Sequence, residues 1–334
     1  MDKQCENNTI SLVKLLAALQ VMYGHFVLHL NLSRSAAVSL AVGYFRGVPI
    51  FFVLSGLLIW HSIERTSTYT KYLKKRVLRI YPELWGAVIV EILSIIVFFN
   101  DWNCRDLMLF LFTQGTVLQF WTPDSLRGYG CGTPNGALWT MCVTIQFYIV
   151  AWFMHKIMHK RELYIWGVAF VALITSSIAG QIIIKKVGSE ILVKLYGQTI
   201  VRYGWLFFIG CLVGEFKRKI IPILSKYWLV FLIVGAVFYI TKIDIYAGYY
   251  VIWSILLTFG MIGFSYRYPS LAIGPDFSYG IYLYHMIIIN VFISIERIGS
   301  WLNAIAAFAI TVIFSYVSTM TIGKWSANKK RFGC

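Results

Sequence analysis

The sequence predicts an all-α fold: a polytopic transmembrane helical bundle of about ten spans with both termini cytoplasmic. Three observations carry that prediction. Of 334 residues, 59% are hydrophobic and only 13% charged, whereas an ordinary soluble domain carries about 25% charged residues. Apolar stretches of about 20 residues, long enough to cross a hydrocarbon core, recur from residue 10 to residue 322. The basic residues collect in clusters at the ends of these stretches. The net charge of +16 therefore reads as topogenic charge under the positive-inside rule, which disfavours nucleic acid as a partner. Regular spacing and short loops leave no room for a soluble domain, so residues 1–334 are read as one integral-membrane domain.

Taken in order, the first span (10–30) follows the polar segment MDKQCENNTISLVK. No small-residue cleavage site follows it, so the span is expected to remain as an anchor. Apolar segments then lie at 44–62, 80–99, 106–121, 136–155, 162–184, 198–216, 226–241, 246–265, 277–296 and 300–322. If all eleven cross, the basic cluster at 65–79 faces away from those at 156–161, 217–226 and 324–331. If 106–121 does not cross, all four share one face. That segment is short and is interrupted by Thr113, Gln114, Gly115 and Thr116. The region 100–135 is therefore expected to be a long external loop whose apolar part re-enters or lies flat, which leaves ten spans. Lys185, Lys186 and Lys194 fit this count least well, because it places them outside.

Ionisable groups within spans are costly and are functional candidates by default. Lys14 and His25 lie eleven residues apart in the first span, close to three turns, so both project from nearly the same face. His29 follows one turn later and is read as a solvated residue near the outer interface. His285 lies in SYGIYLYHMIIIN beside Tyr282 and Tyr284, either as a substrate contact or satisfied within the bundle. Glu91 falls inside the third span, Arg46 at the external mouth of the second, and Arg202 and Glu215 near the ends of the seventh. The run KYLKKRVLRIYPELWG places Lys71, Lys74, Lys75, Arg76 and Arg79 within nine positions. Such a run either fixes topology alone or also grips phosphates. Cys104 and Cys131 fall in the external loop, either as a disulfide or as two thiols. With no CxxC and no Cys/His ligand spacing recognised, no metal site is expected.

Five stretches in order, KLLAALQVMYGH, RGVPIFFVLSGLLI, YLKKRVLRIYP, LWTMCVTIQFY and DFSYGIYLYH, resemble membrane-bound acyltransferase family 3, the bacterial surface-glycan O-acyltransferases. The resemblance runs from residue 10 to about residue 290. Lys14 and His25 match the family's opening pattern of a basic residue, ten residues and a histidine. Arg76 and Arg79 match its Arg-x-x-Arg pair, and Trp139, Gln146, Phe147 and Tyr148 match its fifth-span motif. Thr144 departs from it, standing where relatives commonly carry an acid, and Pro49 stands where many carry Asp.

The resemblance implies O-acyl transfer, most simply of acetyl, from cytoplasmic acetyl-CoA to a sugar hydroxyl of a surface polysaccharide or its lipid-linked precursor. It implies a multi-pass protein of the bacterial inner membrane with the bilayer, acyl-CoA and a saccharide acceptor as partners. Acyl-CoA enters as co-substrate, and no tightly bound cofactor is expected. His25 is the expected catalytic residue, as general base or transient acyl carrier. Arg76 and Arg79, with Lys14, Lys74 and Lys75, are expected to hold the donor; Arg46, Trp139, Gln146 and His285 are candidate substrate contacts. No soluble esterase-like domain is expected after the last span. Two other classes remain: a flippase or transporter of a lipid-linked saccharide, and an inactive relative with a binding role.

Overall fold

The computed structural model describes residues 8–243, 245–246 and 249–332. Residues 1–7, 244, 247–248 and 333–334, and the side chains of residues 245–246, 249–250 and 330–332, lie outside this description. The chain is helical almost throughout. Its helices are α1 (Ile10–His29), α2 (Ala36–Tyr44), α3 (Gly47–Glu64), α4 (Tyr69–Phe98), α5 (Cys104–Gln114), α6 (Trp139–Met158) and α7 (Leu163–Val187). They continue with α8 (Glu190–Tyr196), α9 (Ile200–Glu215), α10 (Lys217–Thr241), α11 (Val251–Arg267), α12 (Ser278–Ser294), α13 (Trp301–Ser318) and α14 (Lys324–Phe332). A two-residue antiparallel pair, Ile245–Tyr246 with Tyr249–Tyr250, closes the α10–α11 turn.

Seven helical stretches among the described residues are long and apolar enough to cross a membrane: α1, Ala36–Glu64, α4, α6, α7, α10 and Trp301–Lys329. α11 and α12 are shorter apolar helices. The segment 106–121, expected not to cross, holds only the 11-residue α5. At 1.5 Å per residue α5 rises about 16 Å, half of a hydrocarbon core. It buries Leu107 and Phe110 in a cluster with Ile95, Leu126 and Tyr129 while Met108 and Phe112 stay exposed. Its start is fixed by Asn103, whose side chain accepts from the Asp106 amide at 2.9 Å and donates to the Asp106 carboxylate at 3.1 Å. Donors from Ser125 and Asn103 hold that exposed carboxyl below its ordinary pKa.

The chain divides into two compact units, with divisions inside α1, α2, α4 and α6 and shortly before α12. The first comprises residues 1–17, 44–72 and 143–274. Here α3 packs on α9 and α10 on α11. The α3–α9 contact is made by backbone: a Cβ on Gly56 would collide with the Phe207 carbonyl, and one on Gly210 with the Val53 carbonyl. Small residues at such a crossing let membrane helices approach closely enough to gain dispersion contact.

The second unit comprises residues 18–43, 73–142 and 275–334. Its centre is α12, where every residue from Gly280 to Asn290 is buried, and which packs on α13. The Ser315 hydroxyl donates to the Phe277 carbonyl at 2.7 Å, tying α13 to the start of α12. The loop 130–135 is pinned to the other end. Asn290 donates to the carbonyls of Thr133 (3.2 Å) and Pro134 (2.6 Å) and accepts from the Cys131 amide (3.0 Å). Gly130 sits at φ +57°, and any side chain there would strike Asn290.

Candidate active site

α1 is apolar nearly all round, so its polar side chains must find partners in protein rather than water. His25, half-buried, finds one 260 residues away: its Nδ1 lies 2.8 Å from Nε2 of His285. The two rings stack, with centroids 5.0 Å apart and planes at 22°. His285 is fully buried, and its own Nδ1 lies 3.0 Å from the Ile281 carbonyl, one turn earlier on α12.

The protonation pattern follows from these contacts. A carbonyl only accepts, so Nδ1 of His285 carries the proton and a neutral His285 has its lone pair on Nε2. Nδ1 of His25 must then donate to it, which leaves the lone pair of His25 on Nε2. The chain Ile281 O···H–Nδ1 His285 Nε2···H–Nδ1 His25 thus ends in one basic nitrogen. His29, with its ring centroid 5.7 Å from that of His25 in an edge arrangement, flanks the pair.

The surrounding polar groups are held by short bonds. Tyr282 donates to the Ala137 carbonyl at 2.6 Å, and its oxygen lies 2.6 Å from that of Thr140. Asn135 donates to the Leu283 carbonyl at 3.0 Å. Trp139 stands between Ala137 and Thr140, half-buried at the start of α6. Glu91 is completely buried beside Asn135. In the adjoining loop, burial pushes the Tyr129 phenol up to about 12 and raises the Cys131 thiol. Cys104 and Cys131 are both free thiols.

The basic run occupies the first half of α4. Arg79 does not stand alone there: it pairs with Glu83 at 3.6 Å and with Asp276 at 3.7 Å, and its guanidinium lies 5.7 Å from the centre of the Tyr279 ring. Asp276 also accepts from the Ser278 amide at 3.2 Å, fastening the first turn of α12. Tyr279 in turn donates to the Ile80 carbonyl at 3.1 Å. The Arg79 end of α4 is therefore stitched to the helix that carries His285, six residues or about 9 Å of rise from Tyr279. Arg79 remains 38% exposed, Lys74 is exposed, and Lys75 and Arg76 are half-buried.

Lys14 lies half-buried on the part of α1 that belongs to the first unit. Arg46, exposed just before α3, lies 5.5 Å from the Trp253 ring centre. Gln146 is engaged at both ends of its amide, donating to the Gln198 carbonyl at 2.8 Å and accepting from the Ile200 amide at 2.9 Å. Its geometry is that of a brace for the start of α9. Asp276, Glu83 and Asn290 were not selected from the sequence. Asp276 is the one with a signal, an acid two residues before a serine at the start of an apolar helix.

The acyltransferase 3 family, described as an acyltransferase domain, matches residues 7–320. Nodulation protein 10 of Rhizobium leguminosarum bv. viciae is 29% identical over 322 residues, covering 88% of this chain and 86% of that protein. No solved structure matches the chain. The family match takes in the paired histidines, the basic run and every helix from α1 to α13, and the chain belongs to the acyltransferase 3 family.

Proposed function

We propose that the protein transfers an acyl group, most simply acetyl from acetyl-CoA, to a sugar hydroxyl of a surface polysaccharide or its lipid-linked precursor. The observation that carries this reading is the His25–His285 pair, which fixes one imidazole lone pair as a base. Nε2 of His25 takes the proton of the sugar hydroxyl as the oxygen attacks the thioester carbonyl carbon. The new C–O bond forms, the C–S bond breaks, and the departing CoA sulfur recovers the proton from His25. His285 keeps His25 in the correct tautomer and, through its Nε2 lone pair, stabilises the imidazolium that forms. No neighbouring carboxylate is required for that role, which fits a chain with Thr144 where relatives carry an acid.

Lys74, Lys75, Arg76 and Arg79 bind the donor phosphates. In this reading Arg79 is shared with Glu83 and Asp276 and so positions the donor rather than holding it alone. Trp139, His29 and the loop 130–135 line the acceptor side. The chain crosses the bacterial inner membrane ten times, with both termini and the basic run cytoplasmic.

The deciding experiment measures ester groups on surface glycan in cells carrying wild type, His25→Ala or Arg76→Ala/Arg79→Ala at matched membrane levels. Loss of ester in both variants supports a donor grip feeding a basic histidine. Unchanged acylation in His25→Ala sinks the proposed base and favours a flippase that moves saccharide without chemistry.

A further inference from the structure

Within the first unit, a second group of histidines gathers where α3, α6 and α9 end. His155 and His159 lie one turn apart at the end of α6, and Glu64 closes α3. One ligand atom from each lies within 4.8 Å of the other two. His155 and His159 stand at i, i+4, a spacing outside the cysteine patterns whose absence led to the expectation of no metal site. We propose that Glu64, His155 and His159 bind a divalent metal of zinc type that clasps the end of α3 to the end of α6.

Two observations beyond proximity support the site. The first is that Nε2 of His155 is buried without a hydrogen-bond partner, an unsatisfied lone pair or proton in a packed setting. The ring cannot turn freely, because it lies against Trp60 (centroids 4.5 Å) and stacks on His159 (4.6 Å, 14°). The second is that the other two ligands already have orienting partners. Glu215, only 9% exposed, accepts from Nδ1 of His159 at 2.9 Å, from Trp60 Nε1 at 2.9 Å and from the Lys160 amide at 2.7 Å. With its Nδ1 proton committed, His159 offers Nε2 to a metal. His61 lies 3.2 Å from one oxygen of Glu64, leaving the other for coordination. Carboxylate–histidine–metal arrangements of this kind fix tautomer and ring orientation in metal sites.

The chemistry of the donor set selects the ion. Two imidazoles and one carboxylate suit zinc and its neighbours and not magnesium or calcium, with water completing a tetrahedron. Metal–ligand distances of about 2.0–2.2 Å place tetrahedral ligands roughly 3.4 Å apart, so the group needs to contract by no more than about 1.4 Å on loading. Nearby cations are directed elsewhere. Lys156 lies 5.9 Å from the Trp152 ring centre, and Arg161 Nε donates to the Ile157 carbonyl at 3.2 Å. Lys160 presents its backbone amide, not its ammonium, to Glu215.

The test uses the full chain in detergent without a polyhistidine tag, stripped with chelator and titrated with zinc against a chromogenic competitor, with bound metal counted by mass spectrometry. Cobalt substitution reports coordination through its visible absorption. Wild type is expected to hold about one zinc per chain and to show four-coordinate cobalt bands. His155→Ala and Glu64→Gln should weaken binding at least 100-fold, and Glu215→Gln by about 10–100-fold. His29→Ala should bind as wild type. The volume-conserving Glu64→Gln, checked for an unchanged elution profile, keeps the result independent of a folding defect. Wild type that retains no zinc, or variants that retain it as well as wild type, overturns the site.

Discussion

Because a backbone carbonyl can only accept, Ile281 decides the protonation of two histidines at once. In the proposed mechanism that pattern makes His285 a positioning residue and His25 the group that meets the substrate. His285→Ala should therefore lower kcat by about 100-fold and leave the KM for donor nearly unchanged, measured in detergent-solubilised enzyme. An equal loss through KM would mean that His285 contacts substrate instead. The residue scale also marks what a sequence conceals. Lys14 and His25 were legible because eleven residues along a helix are three turns. His285 stood out as a polar residue in an apolar run, but its partner lies 260 positions away and only folding introduces them. Gln146, a motif residue, shows a contact that the motif does not announce: its amide braces the start of α9.

Elements were easier to read than their contacts. Apolar length located the long helices, and interruption by polar residues marked 106–121 as the exception, where the 11-residue α5 packs on the end of α4. Nothing in the sequence, however, pairs Gly56 with Gly210. Their importance comes from two backbones in contact, and glycine alone does not announce its neighbour. Gly210→Leu should force α3 and α9 apart and cost roughly 3 kcal/mol or more, visible as a lowered thermal midpoint in detergent. A midpoint equal to wild type would show that the two helices do not approach this closely. Asp276→Asn acts on a different joint. It removes one of the two carboxylates that share Arg79 and weakens the first turn of α12. Donor KM should fall severalfold while stability drops by about 1 kcal/mol; a raised KM would contradict the sharing.

At the scale of the whole molecule, charge distribution carried the reading that hydropathy left open. Eleven apolar segments become ten proposed spans only because the basic clusters must share a face, and the two cysteines of 100–135 provide the check. Cys104 is exposed and Cys131 half-buried. A membrane-impermeant maleimide added to spheroplasts should label Cys104 without permeabilisation. Cys131 should react more slowly at neutral pH and gain as pH rises, since burial raises its thiol pKa and the thiolate is the reacting form. Labelling of Cys104 only after lysis would reverse the proposed orientation.

Arg79, held by Glu83 and Asp276, has a consequence for how a donor would arrive. A guanidinium already in use is won by exchange, not by capture: an incoming polyanion must displace a resident carboxylate to engage it. The carboxylate it displaces most readily, Asp276, is the more exposed of the two and also fastens the start of α12. Arrival at the mouth and loosening of the helix that orients His25 would then be a single event, so that occupancy and readiness rise together.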